Sequence, residues 1–262
     1  MPKLDNNVDL LIKFSSEKIK NIIEGQFNIE LCFVSAIFGK SDKIEFLLKN
    51  FNNVDKFVFV FTDDNYLATK KYDNPRFKVI FVPEDLRLNN PRLTAKIFKV
   101  FIPLIFKKFS NSAIWLDANL IISDCNALLE HIDNKSRYDD TIILFNHRKK
   151  SRNIISEVIQ IYIFGKDNLF NLLKVLFYLF KHLYRDKRLD IFLKKIFWGG
   201  FIYFKKLDQN ISYYWWEFIK LSIRDQLSLP LIVYKSRYTS LPLEEVKKYI
   251  LSVEHLTYKH YH

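Results

Sequence analysis

The residues best placed to do chemistry in this chain are Asp117 and Asn119, which close the run Ser112-Ala113-Ile114-Trp115-Leu116-Asp117-Ala118-Asn119. Oxygen-bearing side chains separated by one residue can point the same way. A hard divalent ion, magnesium or manganese, can then bridge them to both phosphates of a diphosphate. Such an ion neutralises a diphosphate as it departs. The amide of Asn119 is a weaker ligand than a second carboxylate would be, so the triplet is D-x-D-like rather than D-x-D.

Other constellations flank this one. Asn90-Pro91-Arg92-Leu93-Thr94-Ala95-Lys96 opens a helix on which Arg92 and Lys96, four residues apart, share a face and can meet an anion. A solvated basic helix start is the plain alternative. His147, Arg148 and Arg152 form the densest cluster of directional donors, followed by Glu157; they also read as an ordinary surface charge run. Five glycines occur in the whole chain, so the pair Gly199-Gly200 implies close backbone approach to a ligand, or tight turning, ahead of a strand. Arg224-Asp225-Gln226 sets a cation, a carboxylate and an amide in succession, a set that suits the hydroxyl groups of a sugar ring. The same triplet reads equally as a helix start capped by Ser222 or Asp225.

These residues need elements to position them. Strand-like runs are expected at Leu31–Ile37, Phe57–Phe61, Lys78–Val82, Ala113–Leu116 and Thr141–Phe145, most continuously apolar and so covered on both faces. Helical spacing is expected over Asp42–Asn50 and Thr94–Phe109. Alternating strands and helices predict an α/β fold with a parallel, helix-covered sheet. Ligands of such sheets sit beyond the carboxyl ends of the strands. That rule selects Phe38-Gly39-Lys40-Ser41-Asp42, Thr62-Asp63-Asp64-Asn65 and Asp117-Ala118-Asn119. We expect one domain over residues 1–262, with a helical insertion at about 166–197. There Asn168, Asn171, Lys174, Tyr178, Lys181, His182 and Arg185 form a narrow polar stripe on an otherwise apolar helix. It reads either as a core helix with one wet edge or as a basic amphipathic surface for anionic lipid.

In order along the chain, six blocks resemble the TOD/MUCI-type glycosyltransferase-like family, named for plant mucilage-synthesis and pollen turgor proteins. They are Val34 to Gly39 with Asp42; Phe61 to Asp64; Arg92 with Lys96; Ile114 to Asn119; His147 to Glu157; and Trp216 to Ile219 leading into Ser222 to Ser228. The resemblance covers about residues 30 to 235. It implies a GT-A-like, single Rossmann-type fold and sugar transfer from a nucleotide-diphosphate donor. By the same resemblance Ala36, Phe38, Gly39 and Asp63 line the nucleoside pocket, Asp117 and Asn119 hold diphosphate and metal, and Asp225 with Gln226 holds the sugar. His147, Arg148 and Glu157 fall in a block expected to bind donor or acceptor. Gly199, Gly200, Trp216 and Arg224 join them as candidate acceptor or sugar contacts. The basic, apolar segment 166–197 and the glycine pair depart from the family pattern.

Bulk properties narrow the alternatives. A formal charge of +12 implies attraction to polyanions without choosing among nucleic acid, an anionic leaflet and a phosphorylated substrate. The aromatics sit mostly in apolar runs rather than among lysines and arginines, which argues against a nucleic-acid protein. No glycine-rich fingerprint follows the first strand, which argues against a nicotinamide enzyme. A transferase homologue that only binds glycans stays open. Cys32 and Cys125, each flanked by apolar runs, read as reduced core thiols. The start carries no export pattern, and the apolar stretch Leu169 to Leu183 falls short of a membrane span. The expectation is a cytoplasmic protein, peripheral on the inner face of a membrane if bound to one.

Overall fold

A computed structural model describes residues 4–23, 29–39, 44–51, 54–146, 153–165, 167–222 and 224–252, with 251–252 as backbone only. The elements in chain order are α1 (Asn6–Ile23), β1 (Ile29–Ile37), α2 (Ile44–Phe51), β2 (Phe57–Thr62), α3 (Asn65–Thr69), β3 (Phe77–Phe81), α4 (Pro91–Val100), α5 (Ile102–Phe106), β4 (Ser110–Leu116), β5 (Leu120–Ile122) and α6 (Cys125–Lys135). They continue with β6 (Ile142–Asn146), α7 (Ile154–Ile163), α8 (Leu169–Arg185), β7 (Phe197–Phe204), α9 (Gln209–Ile219), α10 (Asp225–Tyr234), β8 (Tyr238–Pro242), α11 (Leu243–Val246) and β9 (Ile250–Ser252). Two short 3-10 turns, Glu84–Leu86 and Leu189–Leu193, complete the set.

Seven strands form one sheet in the order β3-β2-β1-β4-β7-β6-β8, and β5 pairs with β9 apart from it. β1 to β4 run parallel, β7 runs antiparallel to both of its neighbours, and β6 and β8 run parallel to each other. All strands of the seven-stranded sheet except β7 therefore point the same way. The sheet is mostly parallel and covered by helices, as the strand and helix spacing predicted, and it is compatible with a Rossmann-like fold.

Side-chain alternation explains why the inner strands are apolar throughout. Cys32, Val34 and Ala36 of β1, Phe57, Phe59 and Phe61 of β2, and Ala113 and Trp115 of β4 face a core layer shared with α1, α4, α5 and α9. Leu31, Phe33 and Ile37 of β1, Val58 and Val60 of β2, and Ile114 and Leu116 of β4 face the opposite layer, shared with α2 and α6. The large side chains in both layers are fully buried, each worth about 1.5–3 kcal/mol of transfer free energy. Both cysteines are free and buried, and burial pushes each thiol up to about 12.

The helix expected over Thr94–Phe109 is two helices. Asn90 caps α4 by accepting hydrogen bonds from the Arg92 and Leu93 amides, and Pro91 occupies its first turn. Pro103 has no N–H to continue the ladder, so the helix ends at Val100 and resumes as α5. β4 consequently starts early, at Ser110. Gly199 and Gly200 do not precede a strand but lie inside β7. No helix among the described residues is long and apolar enough to cross a membrane.

Candidate functional site

The site grows from the edge of the sheet where the parallel strands end. At β1, Gly39 adopts a left-handed backbone (φ +77°) that favours glycine, and its amide donates to Asp63 Oδ2 at 2.9 Å, joining the ends of β1 and β2. Beside it begins α4, whose Pro91 lies 3.8 Å from where a Gly39 side chain would start. Along α4, Arg92, Lys96 and Lys99 fall on one face by their spacing, Arg92 exposed and Lys99 fully buried.

At β4, Trp115 and Asp117 alternate onto the same face of the sheet, the one that α4 covers. The Trp115 indole N–H donates to Asp117 Oδ1 at 2.6 Å, and Lys99 Nζ lies 3.7 Å from the same oxygen and 5.5 Å from the indole ring centre. Asp117 to Leu120 form a tight turn in which the Leu120 amide donates to the Asp117 carbonyl at 3.1 Å. Asn50 of α2 braces the turn, donating to the Leu120 carbonyl and accepting from the Ile122 amide, each at 2.7 Å. Because β7 is antiparallel, its start meets the end of β4, and the Asp117 amide donates to the Gly200 carbonyl at 2.8 Å.

The last component comes from far along the chain. Asp225 is the first residue of α10, and its Oδ2 accepts from Lys96 at 2.7 Å and from Lys99 in a still shorter contact. Asp117 and Asp225 thus flank one buried ammonium. Asp225 does not cap its helix: Arg224 holds the N-cap position, with no side-chain hydrogen bond capping the first turn, and Ser222 accepts from the Arg224 amide while donating to Asp167. Gln226 follows, partly buried. The Trp215 indole donates to Ser228 at 2.8 Å, and Ser228 donates to the Asp225 carbonyl, which ties α9 to the first turn of α10.

Electrostatics separate the two lysines. Burial alone would raise the Asp225 carboxyl, but Lys96 and Lys99 hold it well below the ordinary carboxylate range. Burial pulls Lys99 down, and Asp117 with Asp225 more than offsets it, leaving the ammonium above its usual value. Lys96, also desolvated but held mainly by Asp225 and repelled by Lys99, ends below its usual value. Lys99 is therefore the fixed cation of the cluster. Lys96, with a fifth of its side chain exposed, is the cation that can turn toward a ligand.

The structure brings Gly39, Asp63, Arg92, Lys96, Asp117, Asn119, Gly199, Gly200, Arg224, Asp225 and Gln226 to this edge of the fold. It places others elsewhere. Phe38 is buried and stacks on Phe98 of α4 at 5.5 Å, and Ala36 is buried beneath it, so both belong to the core layer. Trp216, only 2 % exposed, packs against Phe101 at 5.6 Å and faces the core rather than a ligand. The close approach expected at the glycines is to the protein's own groups: a Cβ on Gly199 would meet Asp225 and Lys99, and one on Gly200 would meet the Trp198 ring. Glu157 is buried in the first turn of α7. His147, Arg148 and Arg152 lie outside the described residues, as do Lys40, Ser41 and Asp42.

Neither a protein-family model nor a curated protein matches this chain. The reading of the site rests on its own geometry. Lys99 is the member that sequence reasoning missed. Its signal was available, three residues after Lys96 and seven after Arg92, but a lysine in the last turn of a helix reads as a surface residue until its partners are known.

Among the described residues, no three His, Cys, Asp or Glu side chains converge. Asp117 with Asn119 suits an ion that draws its remaining oxygens from a bound diphosphate: the Asp117 side chain is 38 % exposed, and only its Oδ1 is engaged by Trp115.

Proposed function

We propose that this chain is a glycosyltransferase of GT-A-like fold that moves a sugar from a nucleotide-diphosphate donor, a UDP-sugar in the leading form, to a glycan or lipid-linked acceptor in surface polysaccharide assembly. The observation that carries this reading is the meeting of Asp117 and Asp225 on Lys99, beyond the carboxyl end of β4. A strand-end carboxylate and the Arg-Asp-Gln triplet from far along the chain share one edge. That edge is where open α/β sheets bind their ligands.

In this reading Arg92 and Lys96 face the diphosphate, Gly39 and Asp63 border the nucleoside, and Asp225 with Gln226 holds the sugar. The acceptor hydroxyl oxygen bonds to the anomeric carbon as the bond to the phosphate oxygen breaks, and the hydroxyl proton passes to the departing diphosphate. The negative charge left on the diphosphate is stabilised by Arg92 and by Lys96, which turns toward it while Lys99 keeps Asp225 in place. A magnesium or manganese ion on Asp117 and Asn119 would supply further neutralisation of that charge. Asp225 stays ionised across the neutral range, which suits it to accept a hydrogen bond from a sugar or acceptor hydroxyl and makes it a poor proton acceptor.

A panel of UDP-, GDP- and CDP-sugars, with and without manganese or magnesium, tests the reading by binding and by donor hydrolysis. One donor class is expected to raise the melting temperature and to turn over. No shift and no turnover with any donor, together with salt-sensitive oligonucleotide binding, would favour the nucleic-acid alternative.

A further inference from the structure

The polar stripe of α8 divides two apolar stripes rather than edging one. Leu172, Val175, Leu179 and Leu183 point inward and share a satellite core with Ile154 and Val158 of α7 and Leu227 and Leu231 of α10. Phe170, Leu173, Phe177, Phe180 and Tyr184, at alternating spacings of three and four, form a second stripe that points out. Phe177 is 70 % exposed and Tyr184 66 %, and the rings of Phe180 and Tyr184 stack on each other at 5.7 Å. On α7, Ile159 and Ile163 are also exposed, on the side opposite that shared core. An exposed apolar surface of this extent marks an interaction site.

Its charge surroundings indicate the occupant. On the helical wheel Lys181, Lys174 and Arg185 follow the outer stripe directly, all exposed, and Lys174 Nζ sits 4.1 Å from the Phe170 ring centre. Residues 166 to 197 carry eight lysines and arginines against three aspartates. A second copy of the chain docked here about a twofold axis would bring like charges together at the rim. An anionic leaflet instead accepts the rings among its acyl chains and the cations among its headgroups.

We infer that the outer side of α8 is a membrane-docking face that seats this protein on anionic lipid, with the helix lying in the interface plane. The face lies on the outer side of the satellite core that includes α10, so docking sets the carboxyl edge of the sheet, and Asp225, at a fixed relation to the bilayer. The inference does not depend on the reaction proposed above.

Co-sedimentation of the full chain with phosphatidylcholine vesicles, and with vesicles containing one quarter phosphatidylglycerol, tests it. Binding is expected to the anionic vesicles, to fall about fivefold for each cation removed in K174Q, K181Q and R185Q, and to weaken as salt rises. F177S/F180S should abolish binding while leaving the thermal melt unchanged, because both rings are exposed. Equal binding by F177S/F180S and the parent would overturn the inference. So would no sedimentation with anionic vesicles, or a concentration-dependent dimer that F177S/F180S dissociates without any vesicle binding by the parent.

Discussion

Gly199 stands against the carboxylate of Asp225 with no room for a side chain: a Cβ on Gly199 would lie 2.9 Å from Asp225 Oδ2 and 3.1 Å from Lys99 Nζ. The missing methyl group lets two charged residues from α4 and α10 meet over β7. Gly199→Ala should therefore cost about 1–3 kcal/mol of stability by overpacking. It should lower donor affinity beyond what that loss explains, because it displaces the cluster rather than a remote core group. Urea unfolding read beside donor titration checks both, and unchanged donor affinity would separate the cluster from the ligand.

Removing the carboxylate has a different signature. In Asp225→Asn one buried and one partly buried ammonium lose their shared counter-ion, and breaking a buried pair from one side costs on the order of 3 kcal/mol. Lys96→Gln in the same background should restore part of the loss, since it removes one of the repelling charges. A double-mutant cycle by chemical denaturation measures the coupling. Additive losses would show that the three groups do not act as a unit.

Acid should act through the same carboxylate. Its folded-state value is depressed by Lys96 and Lys99, so its contribution is present above the unfolded value of about 3.9 and is lost as pH falls through the lower, folded value. Stability should hold down to about pH 4 and then fall, with a steeper slope in the parent than in Asp225→Asn. Unfolding midpoints between pH 6 and pH 2.5 measure the two slopes, and parallel curves would assign the acid limb to other groups.

The parallel core of the sheet was legible because strands buried on both faces are continuously apolar, as Phe57–Phe61 is. β5, β8 and β9 were not, since a three-residue strand such as Leu120–Ile122, or the mixed run Tyr238–Pro242, has no period to read. α1 was legible in principle: Val8, Leu11, Ile12, Ser15, Ile19 and Ile23 are its buried stripe. At the site, Asp117, Lys96 and Asp225 could be marked by residue type and local context. That Asp225 points sideways to two lysines rather than capping its own helix depends on the crossover of β7, which no local pattern encodes. The same limit explains Trp216. Trp216 is a candidate acceptor or sugar contact by the resemblance, but packing decides which of two adjacent rings turns inward, and both Trp215 and Trp216 do.

The strand-end carboxylate gives the sharpest test of the site. Asp117 is 38 % exposed, so solvent screens its contact with Lys99, and Asp117→Ala should cost less than about 1 kcal/mol of stability. Lys99 keeps Asp225, so the fold of the edge survives. What the variant loses is the group that the Trp115 indole and Lys99 hold in place at the turn. If that group meets a diphosphate through an ion, donor affinity should fall at least tenfold in manganese, and much less in its absence, where Lys96 and Arg92 carry the anion alone. Calorimetric titration of the preferred nucleotide sugar, with and without the metal, distinguishes these outcomes. Equal affinity of Asp117→Ala and the parent under both conditions would place donor binding away from β4, and the proposed reaction would go with it.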